Sequence, residues 1–261
     1  MANPLYDELF GKHLDQTSVF LQLANGETLT HDAFLQIAAQ YAHVFTGLDL
    51  KPGDRIAVQV AKSPQALALY AACVQCGAIF LPLNTGYTPN EVAYFVENSG
   101  ARLLICDAKS VDELTVIARS TGACLETLNA DGSGSLSTKA KENPTRFSTV
   151  DRNVDDLAAF LNTSGTTGRS KGAMLSQENL LSNARTLVRA WRFTSDDTLL
   201  HALPIFHTHG LFVAVNLSLL AGNKIIFLPR LDNDQFIELM PQAETMLGVP
   251  TFYERMMAAG R

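Results

Sequence analysis

Long apolar runs are missing from this chain of 261 residues. Its longest apolar stretch, Gly210 to Gly222, carries Asn216 and Ser218 and is too short to cross a bilayer. The start, Met1-Ala2-Asn3-Pro4-Leu5-Tyr6-Asp7-Glu8, has neither the basic opening nor the apolar segment of a secretory signal. Basic clusters are absent too. The net charge is −6, and Lys and Arg nowhere gather into the patch that a nucleic-acid surface needs. Cysteine is scarce, at four residues, and with no targeting signal a reducing cytoplasm is the expected location. Cys73 and Cys76 form a C-x-x-C with no second pair to complete a zinc site, inside a segment that reads as helix; buried structural thiols are expected there.

What is present is a globular composition, 47% hydrophobic against 18% charged, in a chain long enough for one large or two smaller units with a real core. Apolar strand patterns alternate with helical ones. Val19–Leu23, Asn25-Gly26 and Thr28–Thr30 read as a hairpin with a tight primed turn. Thr30 caps a helix from His31 whose face is Phe34, Ile37, Ala38, Tyr41 and Phe45. Strands at Arg55–Val60, Ala78–Leu83, Arg102–Cys106 and Cys124–Leu128 follow, interleaved with helices at Pro64–Cys76, Pro89–Asn98 and Asp112–Ser120. Ser63-Pro64 opens the first of these helices, and Thr88-Pro89-Asn90-Glu91 has capping-box spacing for the second. Later come a helix capped by Ser176 with the stripe Leu180, Leu181, Ala184, Leu187, Val188 and Trp191, a helix at Gly210–Ala221, and one at Asp234–Met240. The expected fold is α/β, with largely parallel sheets covered by helices on both faces. The polar stretch 129–153 carries no helical signal and reads as a surface excursion or flexible connection. It suggests a first α/β unit over 1–128 and a second over 154–261.

The densest chemistry lies in Thr163-Ser164-Gly165-Thr166-Thr167-Gly168-Arg169-Ser170-Lys171-Gly172, directly after the apolar strand Leu157–Leu161. Glycines let the backbone approach a ligand, successive N–H groups form an anion-binding nest, hydroxyls add donors, and Lys171 adds a mobile positive charge. A nucleotide phosphate cradle is implied. It is not the Walker pattern, since Ser170 precedes Lys171 where Gly should stand, and Gly172 follows where a hydroxyl should. A second constellation, Leu203-Pro204-Ile205-Phe206-His207-Thr208-His209-Gly210, falls in a strand-to-helix loop, the place where open α/β sheets form their ligand crevice. With His201 it holds three histidines in nine positions. A metal site and a merely structural loop histidine are the competing readings, although no Cys, Asp or Glu joins the three.

The run Thr163–Gly172 resembles the phosphate loop of the adenylate-forming superfamily, which contains acyl-CoA synthetases, luciferases and peptide-synthetase adenylation domains. Phe206-His207 matches the aromatic-His pair that these enzymes place beside the acyl pocket. The runs Pro204–Phe212 and Met246–Tyr253 are similar to malonyl-CoA synthetases in particular. The resemblance implies that ATP is held by Thr163, Ser164, Gly165, Thr166, Thr167, Gly168, Arg169, Ser170 and Lys171, with Thr166 and Lys171 acting in catalysis beside His207. It implies an acyl pocket lined by Phe206, His207, Gly248, Val249 and Pro250, with malonate or methylmalonate as acid, Mg²⁺ as cofactor and coenzyme A as thiol acceptor. Other short-chain or aryl acyl-CoA synthetases, an adenylation domain and a nucleotide-binding fragment without turnover stay open. The chain stops before the family's Tyr-Gly-x-Thr-Glu motif, whose Glu contributes to the Mg²⁺ site, and before its ribose-binding Asp, its acid-binding Arg and its lid Lys. An N-terminal portion without full activity is therefore expected.

Overall fold

The computed structural model describes residues 2–163 and 171–259. It separates into two compact units, each assembled from distant parts of the chain. One comprises residues 1–8 and 35–180, the other residues 9–34 and 181–261. The expected connection at 129–153 falls inside the first of these units, because the two strands that directly follow it, Leu157–Thr163 and Lys171–Ser176, join the sheet of the strands that precede it.

In the first unit, β3 (Arg55–Gln59), β4 (Ile79–Pro82), β5 (Leu103–Cys106), β6 (Cys124–Thr127), β7 (Leu157–Thr163) and β8 (Lys171–Ser176) form a sheet in the order β6-β5-β3-β4-β7-β8. All pairs are parallel except β7 with β8. On one face, α4 (Pro89–Ser99) and α5 (Val111–Thr121) bury Val92, Phe95, Leu114 and Ile117 against Ala57, Leu81 and Leu104. On the other, α3 (Pro64–Cys76) sets Tyr70 against Phe80 with ring centres 5.5 Å apart. The helix ends are specified locally. Ser63 Oγ accepts the Ala66 amide at 3.1 Å, Pro64 occupies the first turn, and Gly77 closes α3 at φ 76°. Thr88 and Glu91 form the expected reciprocal box, worth about 1 kcal/mol. Cys73 and Cys76 are buried in α3, as their helical setting implies.

The polar stretch departs from expectation. It contains the helix α6 (Ser135–Ala140), with Leu136 and Ala140 buried. It is also tied down: Gln40 Nε2 donates to Asn143 O at 3.1 Å, Asn3 Nδ2 to Val150 O at 3.0 Å, and the Val150 amide to Gln75 O at 2.9 Å. A six-residue helix gives little periodicity, and its anchors come from residues far away in sequence. The short α1 (Pro4–Leu9) was likewise not anticipated.

In the second unit, β1 (Val19–Leu23), β2 (Thr28–Thr30), β9 (Thr198–His201), β10 (Lys224–Phe227) and β11 (Thr245–Met246) run in the order β11-β9-β10-β1-β2. Only β1–β2 is antiparallel. Its turn is not primed. Gly26 lies at φ 85°, Asn25 is not among the positive-φ residues, and Gly26 N–H donates to Leu23 O while Leu23 N–H donates to Glu27 O. This is a three-residue loop with glycine in the left-handed place. α9 (Asn233–Leu239) and α10 (Pro250–Ala259) cover one face, where Leu200, Ile226 and Phe236 are fully buried. The remaining helices are α2 (His31–Gly47), capped by Thr30 as expected, α7 (Gln177–Trp191), capped by Ser176, and α8 (Asn216–Ala221). Two details of the helical expectations change. Trp191, placed in the apolar stripe of α7, is 46% exposed, since it ends the helix beyond its last buried turn. The helix expected over 210–221 is a π-helix at His209–Val215 that continues as α8. No described helix is long and apolar enough to cross a membrane.

Candidate functional site

Both sheets carry their candidate residues at the carboxyl ends of parallel strands. In the first unit, Thr163 ends β7 and pairs in register with Lys171, which begins β8. Thr163 and Lys171 thus stand on adjacent backbones, with 164–170 between them in the sequence. Ser164, Gly165, Thr166, Thr167, Gly168, Arg169 and Ser170 lie outside the described residues. Just past the paired ends, Gly172 faces Phe160. A Cβ at Gly172 would fall 2.0 Å from the end of that ring, so this strand pair requires glycine unless the ring moves.

The same edge holds a residue that sequence reasoning missed. Lys62 follows β3, and burial pushes its amine well below the ordinary lysine range. Lysine after an apolar strand and before Ser63-Pro64 carries no periodic signal, so only three-dimensional burial singles it out. At the neighbouring loop, Gln59 Nε2 donates to Asn84 O at 3.1 Å and to Tyr87 O at 3.0 Å, fixing the turn between β4 and α4.

In the second unit, β9 and β11 are parallel neighbours, with Leu199 beside Thr245 and Leu200 beside Met246. The loop bearing Phe206 and His207 and the loop bearing Gly248 and Val249 thus start from adjacent strands, about 4.8 Å apart, at one edge. Pro250 begins α10, and the Phe252 amide donates to Val249 O at 2.8 Å. Gly248 sits close under Tyr253: a Cβ would lie 3.2 Å from that ring. His207 is exposed, with its ring 4.6 Å from that of Phe206. Partial desolvation lowers its pKa below the ordinary histidine value, so the ring offers one donor and one acceptor near neutral pH.

His201 differs from His207 in its surroundings. His201 is 1% exposed, and its Nε2–H donates to Gly210 O at 2.7 Å. Among the described residues no group of three His, Cys, Asp or Glu side chains is placed to hold a metal ion. Mg²⁺ in nucleotide-dependent enzymes needs no cluster of that kind, since one or two carboxylates and the substrate phosphates commonly hold it.

Two mostly parallel sheets with helix-covered faces, a hydroxyl- and glycine-rich loop after β7 and an aromatic-His loop after β9 define the class. The chain belongs to the AMP-binding enzyme family, which matches residues 9–261. Among solved structures it is similar to ATP-bound MatB from Rhodopseudomonas palustris, at 48% identity and a TM-score of 0.95, covering 98% of this chain and 51% of that one. Among curated proteins it is 31% identical over 238 residues to a feruloyl-CoA synthase of an Amycolatopsis species, covering 90% of this chain and 46% of the relative. It is 28% identical over 229 residues to a malonate–CoA ligase of Arabidopsis thaliana, covering 82% of this chain and 37% of the relative. The chain spans about half the length of the relatives it matches, or less.

Proposed function

We propose that this chain carries the ATP-binding and acid-binding regions of an AMP-forming acid–thiol ligase that acts on a small carboxylic acid, malonate or methylmalonate. The observation that carries the reading is the likeness to ATP-bound MatB over 98% of the chain. The similarity to malonate–CoA ligases supports the choice of acid. The reaction runs in two steps. A carboxylate oxygen attacks the α-phosphorus of ATP and the bond to pyrophosphate breaks. The thiol of coenzyme A then attacks the acyl carbon, loses its proton, and AMP leaves. Both displacements depend on positioning and on neutralising charge.

Thr163 to Lys171 hold the β- and γ-phosphates in this reading, with Thr166 and Lys171 bearing most on catalysis. Phe206, His207, Gly248, Val249 and Pro250 line the acid's side. A neutral His207 donates one hydrogen bond to a carboxylate, and a bound dianion favours its protonation and so strengthens the contact. Magnesium, when bound in the full-length enzyme, would neutralise charge on the phosphates. The isolated 261-residue chain binds ATP without completing turnover, and the protein works in the cytoplasm.

A second reading is an aryl-CoA ligase, favoured by the feruloyl-CoA synthases at 31% identity. Acid-dependent AMP release with coenzyme A tests both, on this chain and on the protein extended to the length of its relatives. Release with malonate or methylmalonate, confined to the extended protein, is expected. Release with ferulate or benzoate and not with malonate would replace the acid. No ATP binding by either protein would end the ligase reading.

A further inference from the structure

His201 ends β9 and is buried, although its polar ring gains nothing from burial unless it is hydrogen-bonded. The ring packs on Phe227 of β10, with centres 5.6 Å apart. Its backbone is tied as well, because the Leu228 amide donates to His201 O at 3.0 Å. From this fixed platform Nε2–H reaches Gly210 O at 2.7 Å, across the loop that holds Phe206 and His207. A carbonyl only accepts, so the bond sets the tautomer with hydrogen on Nε2.

A second contact closes the same loop independently. Gly210 approaches Pro204 so closely that a Cβ would lie 2.1 Å from Pro204 O. The Leu211 amide also donates to His207 O at 3.0 Å. The helix that starts here, His209–Val215, is wound as a π-helix, an uncommon geometry that is frequent at functional sites. A side chain engaging a helical carbonyl is one recognised cause of irregular winding.

We propose that His201 is a positioning residue for the acid site: its Nε2–H clamps the Gly210 carbonyl and holds the 202–210 turn in the geometry that presents His207. The inference rests on the reading that His207 meets the acid. A leucine of similar bulk would fill the core position but leave Gly210 O without this donor, and the turn would relax toward solvent. A displacement of about 1 Å at a positioning group can cost a large rate or affinity factor.

The test compares His201→Leu, His201→Asn and His201→Gln. The glutamine amide reaches about as far as Nε2, whereas the asparagine amide falls short. The His207 ring is followed by NMR titration in the 261-residue chain, and Michaelis constants are measured in the extended ligase. In the Leu and Asn variants the His207 pKa should rise toward the ordinary value of about 6.5. The acid KM should rise about tenfold while the ATP KM changes less than about twofold. Gln should restore both. If His201→Leu does not fold, the Asn–Gln pair decides alone. An unchanged His207 titration in the Asn variant, or equal rises in both Michaelis constants, would overturn the proposal. His207→Ala in the same assay separates the two ideas. If it leaves the acid KM unchanged the acid assignment fails, and the clamp is still judged by the titration.

Discussion

In the unit of residues 1–8 and 35–180, β7 ends at Thr163 beside Lys171, the first residue of the antiparallel β8. In the unit of residues 9–34 and 181–261, the loop after β9 winds into a π-helix instead. Each sheet is parallel apart from one antiparallel pair, so the scaffold does not distinguish the two edges. The difference lies in how each loop is held. The first is bracketed by backbone pairing of Thr163 with Lys171. The second is held by the His201 side chain, by the close approach of Gly210 to Pro204 O, and by the Leu211 amide on His207 O. The pairing of Thr163 with Lys171 runs through the backbone and does not depend on their side chains, whereas the bond to Gly210 O is lost with the His201 ring.

The largest expected effect separates the chemistry of the two loops. Lys171→Ala in the extended ligase should lower kcat/KM for ATP by about a hundredfold or more, on the scale of losing a preorganised charge contact. His207→Ala should instead raise the acid KM more than the ATP KM. Steady-state kinetics with both substrates varied checks the pair, and identical profiles would dissolve the contrast.

The next effect concerns the two close-packed glycines. Gly210→Ala drives a methyl into a backbone oxygen and should cost about 2–4 kcal/mol. Gly172→Ala meets only the far end of the Phe160 ring, which can swing, and should cost about 1 kcal/mol. Urea unfolding gives the order, and a larger loss at Gly172 would mean that the Phe160 ring is locked.

Acid should loosen the second unit first. His13 and His31 stack with ring centres 4.1 Å apart, and His13 Nε2–H donates to Leu219 O at 2.7 Å. Burial, followed by the neighbouring His13 and Lys12, lowers the pKa of His31 to about 3, and burial also lowers that of His13. Both rings therefore bind protons less readily folded than unfolded. Stability is complete above the ordinary histidine range and falls as pH drops from about 6.5, by at most about 1.4 kcal/mol per pH unit for each ring. His31→Phe, which keeps a ring in the stack, should flatten the urea-midpoint profile between pH 7 and 4. An unaltered profile would place the acid sensitivity elsewhere.

The smallest effect is a labelling rate. All four cysteines belong to the first unit, and only Cys124 is exposed. Burial pushes the Cys76 and Cys106 thiols up to about 11 and raises that of Cys73 well above its ordinary value. A thiol reagent at pH 7.5 should modify Cys124 promptly and the other three only as the first unit opens. Mass spectrometry of the labelled peptides reads this directly. Early modification of Cys73 would mean that α3 opens locally.

How much of this was legible in the sequence depends on distance along the chain. Features encoded within a few residues came through, as with Ser63-Pro64 at α3, the Thr88–Glu91 box, and Thr30 at the start of α2. The alternation of strand and helix was legible because parallel strands buried on both faces are continuously apolar. Partnership across long gaps was not legible. Nothing in Val19–Leu23 announces β10 as its neighbour, and nothing in 129–153 announces the anchors Asn3, Gln40 and Gln75. At the candidate site, Phe206 and His207 stood out as a pattern, but the separate role of His201 did not. Spacing grouped the three histidines together, and only burial and a hydrogen bond set one apart.

The pairing of β1 with β10 has a consequence for the chain as it is made. Leu21 lies beside Ile225, so a strand synthesised early waits about 200 residues for its partner. At about 5–20 residues per second that is about 10–40 s during which Phe20 and Leu21, both fully buried at the end, have no sheet to enter. The first unit's core sheet can assemble meanwhile, since its strands are complete by Ser176. On the ribosome, then, the nascent chain carries a sticky unpaired edge, and chaperone demand should peak before residue 227 emerges.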